Sequence, residues 1–240
     1  MNMTYTSIEN EKIKDIKKLN KKKYRDQENL YLVEGDHLVI EAYKSGVLDT
    51  LIVTEGVDYK GYPNTIVVSS KVMKFISELD TPKKVMGICK KKNNEVIGSK
   101  VIVLDNVQDP GNLGTIIRSS VAFNFDTILI SEDTVDPYNS KVIRACQGMN
   151  MKTNIIQGDL TKYLKELKDY KIYATSVTNG KDVKNIDANN KLCVVMGNEG
   201  NGVSEKVKSL CNDFIYINMN SECESLNVAV AASIIMYELS

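Results

Sequence analysis

Three short polar segments of this sequence hold side chains that could bind a ligand and act on it. In the first, Arg118 follows Asn112 by six residues, among neighbours that are mostly Ile, Val and Ala. An amide and a guanidinium can orient a polar substrate and stabilise negative charge. Because a guanidinium is costly inside an apolar helix unless it is paired, we expect Arg118 to face a cleft. Asn112 could instead serve only as the N-cap of that helix.

The second segment is rich in glycine and contains one carboxylate. It runs from Met196 to Ser204 and includes Gly197 and Glu199. Glycines let a backbone approach a ligand closely. Their spacing matches neither the Gly-x-Gly-x-x-Gly of dinucleotide folds nor a Gly-Lys-Ser phosphate loop. A plain strand-to-helix turn would explain two glycines, whereas the third glycine and Glu199 favour a ligand-binding loop.

The third segment opens the last apolar helical pattern. Ser225, Leu226 and Asn227 come directly before an apolar run at 228–237. A helix start leaves backbone N–H groups unpaired, and Ser225 or Asn227 could cap them. The small side chains of this helix allow close packing, either within a core or against a second subunit.

Hydrophobic patterning predicts how these segments are positioned. Beyond residue 100, apolar strands without polar alternation are each followed by a helix, which indicates a parallel sheet covered on both faces. Ligands bind beyond the carboxyl ends of such strands, which is where the three segments lie. The predicted strands are 101–104, 127–131, 171–177, 192–196 and 214–217.

The first hundred residues are predicted to form a separate, small α/β module. Residues 90–100 are rich in Lys, Asn, Gly and Ser, which is typical of a linker, so we predict two domains, 1–98 and 99–240. The predicted elements of the module are helices at 12–24, 36–45 and 70–79, and strands at 30–33, 50–54, 66–69 and 85–89.

Positive charge is concentrated near the amino terminus, although the net charge of the chain is zero. Eight Lys or Arg residues stand against two acidic residues within 11–25. This excess would allow contacts with phosphate groups, but a solvated helix flank explains it equally well. The candidate RNA-binding residues in this stretch are Lys21, Lys22, Lys23 and Arg25.

Composition disfavours several other classes of function. His37 is the only histidine, so a Ser-His-Asp triad would rest on one residue and a His-Glu-x-x-His zinc site is impossible. Five cysteines form no Cys-x-x-Cys pair, so we expect no metal site and mostly buried thiols. The run 228–237 is half of the ~20 residues that a membrane-spanning helix needs. With no signal peptide apparent, we expect a soluble, cytoplasmic protein.

Together, the three segments resemble the SpoU (TrmH) family of RNA 2'-O-methyltransferases, in the SPOUT superfamily. The family's motifs appear in order within 101–240. Residues 136–144 also resemble a family segment that carries a basic residue, here Arg144, toward RNA. The first hundred residues resemble the family's amino-terminal RNA-binding domain, which has an L30e-like fold. The matching motif residues are Asn112 with Arg118, Gly197 with Glu199, and Ser225 with Leu226 and Asn227.

The resemblance implies a trefoil-knotted α/β methyltransferase domain with a mainly parallel sheet. It also implies S-adenosylmethionine as cofactor, a homodimer, and ribose 2'-O-methylation of a structured RNA, with ribosomal RNA favoured over transfer RNA. A non-catalytic RNA-binding protein that retains the fold remains an alternative. The implied cofactor-binding residues are Gly197, Ile217, Leu226 and Thr175.

The resemblance assigns the chemistry to Arg118. In the mechanism proposed for the family, this arginine is the base that removes the proton of the ribose hydroxyl. A guanidinium, however, stays protonated in proteins. A positive Arg118 that binds phosphate and stabilises a developing alkoxide is physically easier. Its implied catalytic partners, which would orient Arg118 and the ribose, are Asn112, Glu199, Ser225 and Asn227.

Overall fold

Strands and helices alternate along most of the chain. The computed structural model describes residues 4–58, 61–62, 64–92, 96–177 and 179–240. The strands are β1 (Thr4–Tyr5), β2 (Leu30–Glu34), β3 (Leu48–Thr54), β4 (Thr65–Val68), β5 (Val85–Lys90), β6 (Lys100–Leu104), β7 (Thr127–Ile130), β8 (Asn154–Gln157), β9 (Lys171–Thr175), β10 (Lys181–Asp182), β11 (Leu192–Met196) and β12 (Asp213–Tyr216). The helices are α1 (Glu11–Lys18), α2 (Lys22–Glu28), α3 (Asp36–Lys44), α4 (Ser70–Ile76), α5 (Pro110–Ala122), α6 (Ser140–Cys146), α7 (Leu160–Glu166), α8 (Glu205–Lys208) and α9 (Val228–Glu238).

The chain divides into two units, and each has its own sheet. Unit 1 contains residues 1–93 and 138–151, and unit 2 contains residues 94–137 and 152–240. The domain boundary predicted at 98/99 stays a prediction. Of the predicted linker at 90–100, residues 93–95 lie outside the described part of the chain.

Unit 1 is built on a mixed five-stranded sheet with the order β1-β4-β3-β5-β2. β5 pairs antiparallel with β2 and β3, whereas β4 pairs parallel with β1 and β3. The strands alternate their side chains between two apolar clusters. Tyr31 and Val33 pack with residues of α3. Ile52 and Met86 pack with residues of α1 and α4.

The single basic helix predicted at 12–24 is wrong, because the chain breaks there into α1 and α2. The break follows Leu19, whose carbonyl oxygen accepts a hydrogen bond of 2.9 Å from Nη1 of Arg25. Arg25 is only 5% exposed as a result. The Asn20 side chain also donates to the Ile76 carbonyl at 2.9 Å, which holds the break against the end of α4.

A segment distant in sequence completes unit 1. Ile143 and Met151 enter the same apolar cluster as Tyr31. The Tyr138 ring lies 4.8 Å from the Tyr31 ring, and Nζ of Lys91 lies 4.8 Å from the Tyr138 ring centroid. α6 therefore packs with the amino-terminal sheet, although its sequence lies between two elements of unit 2.

Unit 2 is built on a seven-stranded parallel sheet with the order β10-β12-β9-β11-β6-β7-β8. The predicted α/β class and mainly parallel sheet are confirmed. All five strands predicted here exist, β11 with the predicted ends and the other four with ends that differ by at most two residues. β8 and β10 were not predicted, because each is short and contains polar residues. The trefoil knot stays a prediction.

The cysteines of the chain are all free thiols. Burial raises the pKa of the Cys89, Cys146 and Cys193 thiols above its ordinary value, and that of Cys211 to about 11. A thiol is a poor nucleophile when its pKa is raised, so these four behave as small apolar side chains. Cys223 alone is exposed.

In the part of the chain that the structure describes, no helix has both the length and the apolar character that spanning a membrane requires.

Candidate active site

Two loops meet where neighbouring strands β6 and β11 end. After β6 the chain moves to β7 on one side, and after β11 it moves to β12 on the other. A crevice opens at such a switch point in parallel sheets. Oδ2 of Asp105 accepts a hydrogen bond of 2.8 Å from the Ser204 N–H, and the Asn198 amide donates to the Asn106 carbonyl at 2.9 Å. These bonds join the loop after β6 to the glycine-rich loop, residues 197–204.

The glycine-rich loop closes on itself as a tight hairpin. The backbones of Asn198 and Gly202 exchange two hydrogen bonds of 3.0 Å. Oδ1 of Asn198 accepts from the N–H groups of Gly200 and Asn201 at 2.9 and 3.2 Å. A Cβ atom at Gly197 would lie 2.0 Å from the carbonyl carbon of Gly202, so only glycine fits there. The close approach of the two arms of the hairpin therefore explains the glycine at position 197, and binding of a ligand by this loop stays a prediction.

A chain of side-chain hydrogen bonds connects all three motif segments. The Asn227 amide donates to Oδ1 of Asn112 at 3.0 Å, and the Asn112 amide donates to Oε1 of Glu199 at 2.9 Å. Oδ1 of Asn227 caps α9 by accepting from the N–H groups of Ala229 and Val230 at 2.9 and 3.3 Å. We call Glu199, Asn112 and Asn227 the polar chain.

The direction of the polar chain is fixed by the start of α9. Backbone N–H groups can only donate, so the Asn227 oxygen must face them and its amide must face Asn112. The Asn112 oxygen then accepts, and its amide requires an acceptor, which Glu199 provides. Asn112 does not cap α5, because Oδ1 of Asp109 accepts from the Asn112 N–H at 2.8 Å. The Asn112 side chain therefore makes its hydrogen bonds within the polar chain, to Glu199 and Asn227.

A cavity of about 470 Å³ lies at the carboxyl ends of β9, β11 and β12. Its walls combine strand-end backbone, apolar side chains and the first turns of α9. Glu199 is the only charged side chain among the described residues that line it. The cavity therefore suits a partly apolar ligand that carries positive charge. Its lining includes seven of the predicted site residues, namely Thr175, Gly197, Glu199, Ile217, Ser225, Leu226 and Asn227.

Arg118 lies on the exposed side of α5 and outside the lining of this cavity, and the expectation that it faces a cleft stays a prediction. The helix buries Leu113, Ile116 and Ile117, and Arg118 faces away from them. Within the described residues, Arg118 makes no hydrogen bond or ion pair and does not line the cavity. Its guanidinium is available to a group from outside this chain.

Asp105 and Asn198 were missed by the sequence reasoning. Asn198 stands between the motif residues Gly197 and Glu199, and Asp105 directly follows a buried strand. Position offered a signal in both cases, because polar residues at strand ends in parallel sheets often serve the site. Their structural role, holding the two loops together, could not be read from the sequence.

The predicted RNA-binding residues all belong to unit 1, and they differ in how exposed their side chains are and in whether they are already paired. Arg25 is buried against Leu19, so its predicted contact with phosphate is corrected to a structural role. Lys22 pairs with Asp26 at 2.7 Å. Lys21 and Lys23 are exposed.

Arg144 lies in a small cleft of unit 1 that is also lined by Asn20, Glu34 and Ser140. It is half-buried and makes no hydrogen bond with its side chain among the described residues. Because Asn20 is the neighbour of Lys21, the fold brings Arg144 toward the exposed lysines. The two stretches proposed for RNA from sequence alone therefore lie in the same unit.

A parallel sheet whose strand order reverses beside a glycine-rich loop, with a cavity of about 470 Å³ at its carboxyl edge, is typical of α/β domains that bind a small ligand. The profile described as the SpoU rRNA Methylase family matches residues 99–237, and that of the MRM3-like substrate binding domain matches residues 10–87. The chain belongs to the SpoU rRNA methylase family.

Known proteins resemble the chain along almost its whole length. A 23S rRNA (guanosine(2553)-2'-O)-methyltransferase, RlmP, from Bacillus subtilis is 34% identical over 97% of each chain. An AdoMet-bound rRNA methyltransferase from Sinorhizobium meliloti superposes with a TM-score of 0.86 at 28% identity, covering 99% of this chain and 97% of that one.

At 20% identity, AviRb from Streptomyces viridochromogenes shares the fold, with a TM-score of 0.87 over 96% of this chain and 97% of that one. The predicted family and the predicted class of enzyme, an RNA methyltransferase, are confirmed by the family match. The roles of individual site residues stay predictions.

Gly197→Ala is expected to lower affinity for S-adenosylmethionine, the cofactor implied by the resemblance, by at least about tenfold, or about 1.4 kcal/mol. The added Cβ would collide with the Gly202 backbone at 2.0 Å and open the hairpin. Gly200→Ala is the matched control, because its Cβ would meet only Asn198 Oδ1 at an ordinary 3.6 Å. Calorimetric titration of both variants tests this. Equal affinities would show that closure of the hairpin does not shape the cofactor site.

Proposed function

We propose that this chain transfers the methyl group of S-adenosylmethionine to a ribose 2'-hydroxyl of ribosomal RNA. The observation that carries this proposal is the polar chain, in which Asn112 joins Glu199 at 2.9 Å to Asn227 at 3.0 Å beside the cavity. It unites all three family motifs in one site. The similarity to RlmP, an enzyme that methylates 23S rRNA, supports ribosomal RNA as the substrate and hence a cytoplasmic location.

The cavity fits this cofactor chemically. S-adenosylmethionine supplies an electrophilic methyl group on a positively charged sulfur. Glu199 is the single charge among the described lining residues, so the cavity has the sign that attracts a cation. Ile217 and Leu226 offer apolar surface, and the open backbone at Gly197 permits close approach. Thr175 is less free, since its hydroxyl donates to the Val195 carbonyl at 2.9 Å.

The residues around the polar chain would orient the nucleophile. Methyl transfer is an in-line displacement, so alignment of the ribose hydroxyl can supply much of the rate. Ser225 and Asn227 line the cavity and would contact the ribose. Arg118 keeps its proton and acts electrostatically: it binds an RNA phosphate and stabilises negative charge that develops on the 2'-oxygen.

The test is an assay of methyl transfer from labelled S-adenosylmethionine, followed by nuclease digestion of the RNA. We expect 2'-O-methylnucleosides in ribosomal RNA that was prepared without this modification. Methyl transfer to tRNA alone would show that transfer RNA, and not ribosomal RNA, is the substrate. Cofactor binding without transfer to any cellular RNA would indicate the non-catalytic RNA-binding alternative.

Arg118→Ala is expected to reduce methyl transfer by about 100-fold or more, the usual effect of removing one preorganised charge at a reacting oxygen. Affinity for S-adenosylmethionine should change little, because Arg118 does not line the cavity. Arg118→Lys should be nearly as harmful, since an ammonium lacks the guanidinium fork. Thr115→Ala, exposed one turn earlier on α5, is the control. Near-normal kcat in either Arg118 variant would remove Arg118 from the mechanism.

For unit 1, we propose that Lys21, Lys23 and Arg144 contact RNA phosphates. Replacing all three by Ala should weaken RNA binding and reduce the log-log salt slope by about 0.7 to 0.9 for each phosphate that is no longer neutralised. The matched control replaces Lys14, Lys18 and Lys208, which are paired with acidic residues at 2.7 to 2.8 Å, so the net charge changes equally. Identical salt slopes for the two triple variants would contradict the proposal.

We also propose a homodimer formed through α9. Val230 and Tyr237 are 47% and 63% exposed and lie two turns apart on that helix, and the exposed Arg118 is on the adjoining α5. A second copy on this face would enclose Arg118 from outside. Sedimentation at micromolar concentration should give a dimer, and Val230→Asp should shift it toward monomer with loss of activity. Val96→Asp, at 83% exposure, is the control, and a fully active monomer would refute a composite site.

A further inference from the structure

We propose that Ser119 and Ser233 form a positioning pair that sets the register between α5 and α9. This inference rests on the proposed function, because that function assigns roles to Arg118 on α5 and to Asn227 at the start of α9. The two hydroxyl oxygens lie 2.7 Å apart. Neither serine belongs to the motifs or lines the cavity.

The pair is the middle contact of three that follow the helices. Asn227 joins Asn112 at the helix starts, at 3.0 Å. Ser233 meets Ser119 further along, and the Tyr237 ring then meets the Phe123 ring edge-on at 5.6 Å. Four residues separate Ser119 from Phe123, and four residues also separate Ser233 from Tyr237. The two helices therefore run in the same direction alongside each other.

The direction of the hydroxyl bond follows from the protons available. The Ser233 hydroxyl donates to the Ala229 carbonyl at 2.7 Å, which uses its single proton. The Ser233 oxygen can therefore only accept from Ser119, so Ser119 is the donor. Loss of either hydroxyl removes the bond between the helices. If only the Ser119 hydroxyl is lost, the Ser233 hydroxyl still donates to the Ala229 carbonyl in its own helix.

A directional bond at this point has a consequence for the site. Apolar contacts are not directional and fix no donor–acceptor distance, whereas one residue of sliding would move a helix by about 1.5 Å. Hydrogen bonds tolerate only a few tenths of an ångström. The Ser119–Ser233 bond therefore holds Asn112 within reach of Asn227 and keeps Arg118, the residue next to Ser119, at a fixed height relative to the cavity.

The experiment measures kcat and the KM for S-adenosylmethionine in Ser119→Ala, Ser233→Ala and the double variant. One net hydrogen bond corresponds to a loss of about 2- to 10-fold in kcat, with KM unchanged within about twofold. Because one bond is shared, the double variant should be no slower than the slower single variant. Ser119→Thr keeps a hydroxyl and should retain kcat within about twofold.

Ser120→Ala is the matched control. Ser120 is the next residue on α5 and fully buried, and its hydroxyl donates only to the Ile117 carbonyl in its own helix at 2.8 Å. Its removal should leave kcat unchanged. Multiplicative losses in the double variant, or an equal loss in Ser120→Ala, would overturn the pair while leaving the methyltransferase proposal intact.

A crystal structure of the double variant tests the register without relying on activity. The distance between Asn227 Nδ2 and Asn112 Oδ1 should exceed 3.0 Å by enough to break the bond, or the side chains should occupy several conformers. An unchanged bond would overturn the proposal. If the wild-type protein transferred no methyl group but this distance changed in the double variant, the proposed function would be refuted and the positioning pair would stand.

Discussion

The site depends on the unpaired N–H groups that begin α9. They need an acceptor, and Asn227 supplies it with bonds to Ala229 and Val230. That single requirement orients the Asn227 amide, then Asn112, and finally the carboxylate of Glu199. A helix cap thus orders side chains from three remote parts of the sequence, and it leaves each of them with a defined donor or acceptor next to the cavity.

The parallel sheet explains why these remote parts meet. Strands β9, β11 and β12 end at the same edge of the sheet, so the loops that follow them share one cavity. Glycine at 197 lets the hairpin close, and Asp105 with Asn198 ties it to the neighbouring loop. The rigid loop presents backbone and one carboxylate, which is a favourable environment for a cationic cofactor.

Arg118 does not line this cavity. It occupies the solvent side of α5, where a guanidinium costs nothing to keep charged. Electrostatic stabilisation is strongest where water is excluded. In the proposed complex, RNA and a second copy of the chain would exclude water from Arg118.

The alternating elements, the parallel sheet of unit 2 and the three motif segments could be predicted from the sequence alone. These follow from apolar runs, glycine spacing and helix starts, which are properties of neighbouring residues. The sequence also placed Gly197 in a glycine-rich loop, and the structure adds the steric reason, because the hairpin leaves no room for a Cβ atom there.

Which polar groups form hydrogen bonds inside the protein could not be predicted in this way, because it depends on tertiary packing. Arg25 looked like its neighbouring lysines but turns inward to the Leu19 carbonyl, at the break between α1 and α2. Residues 138–151 pack in unit 1, and Ser119 finds Ser233 across more than a hundred residues. The reason is physical: periodicity reports which face of an element is buried, whereas the partner of a polar atom depends on the register and packing of elements that are far apart in the chain.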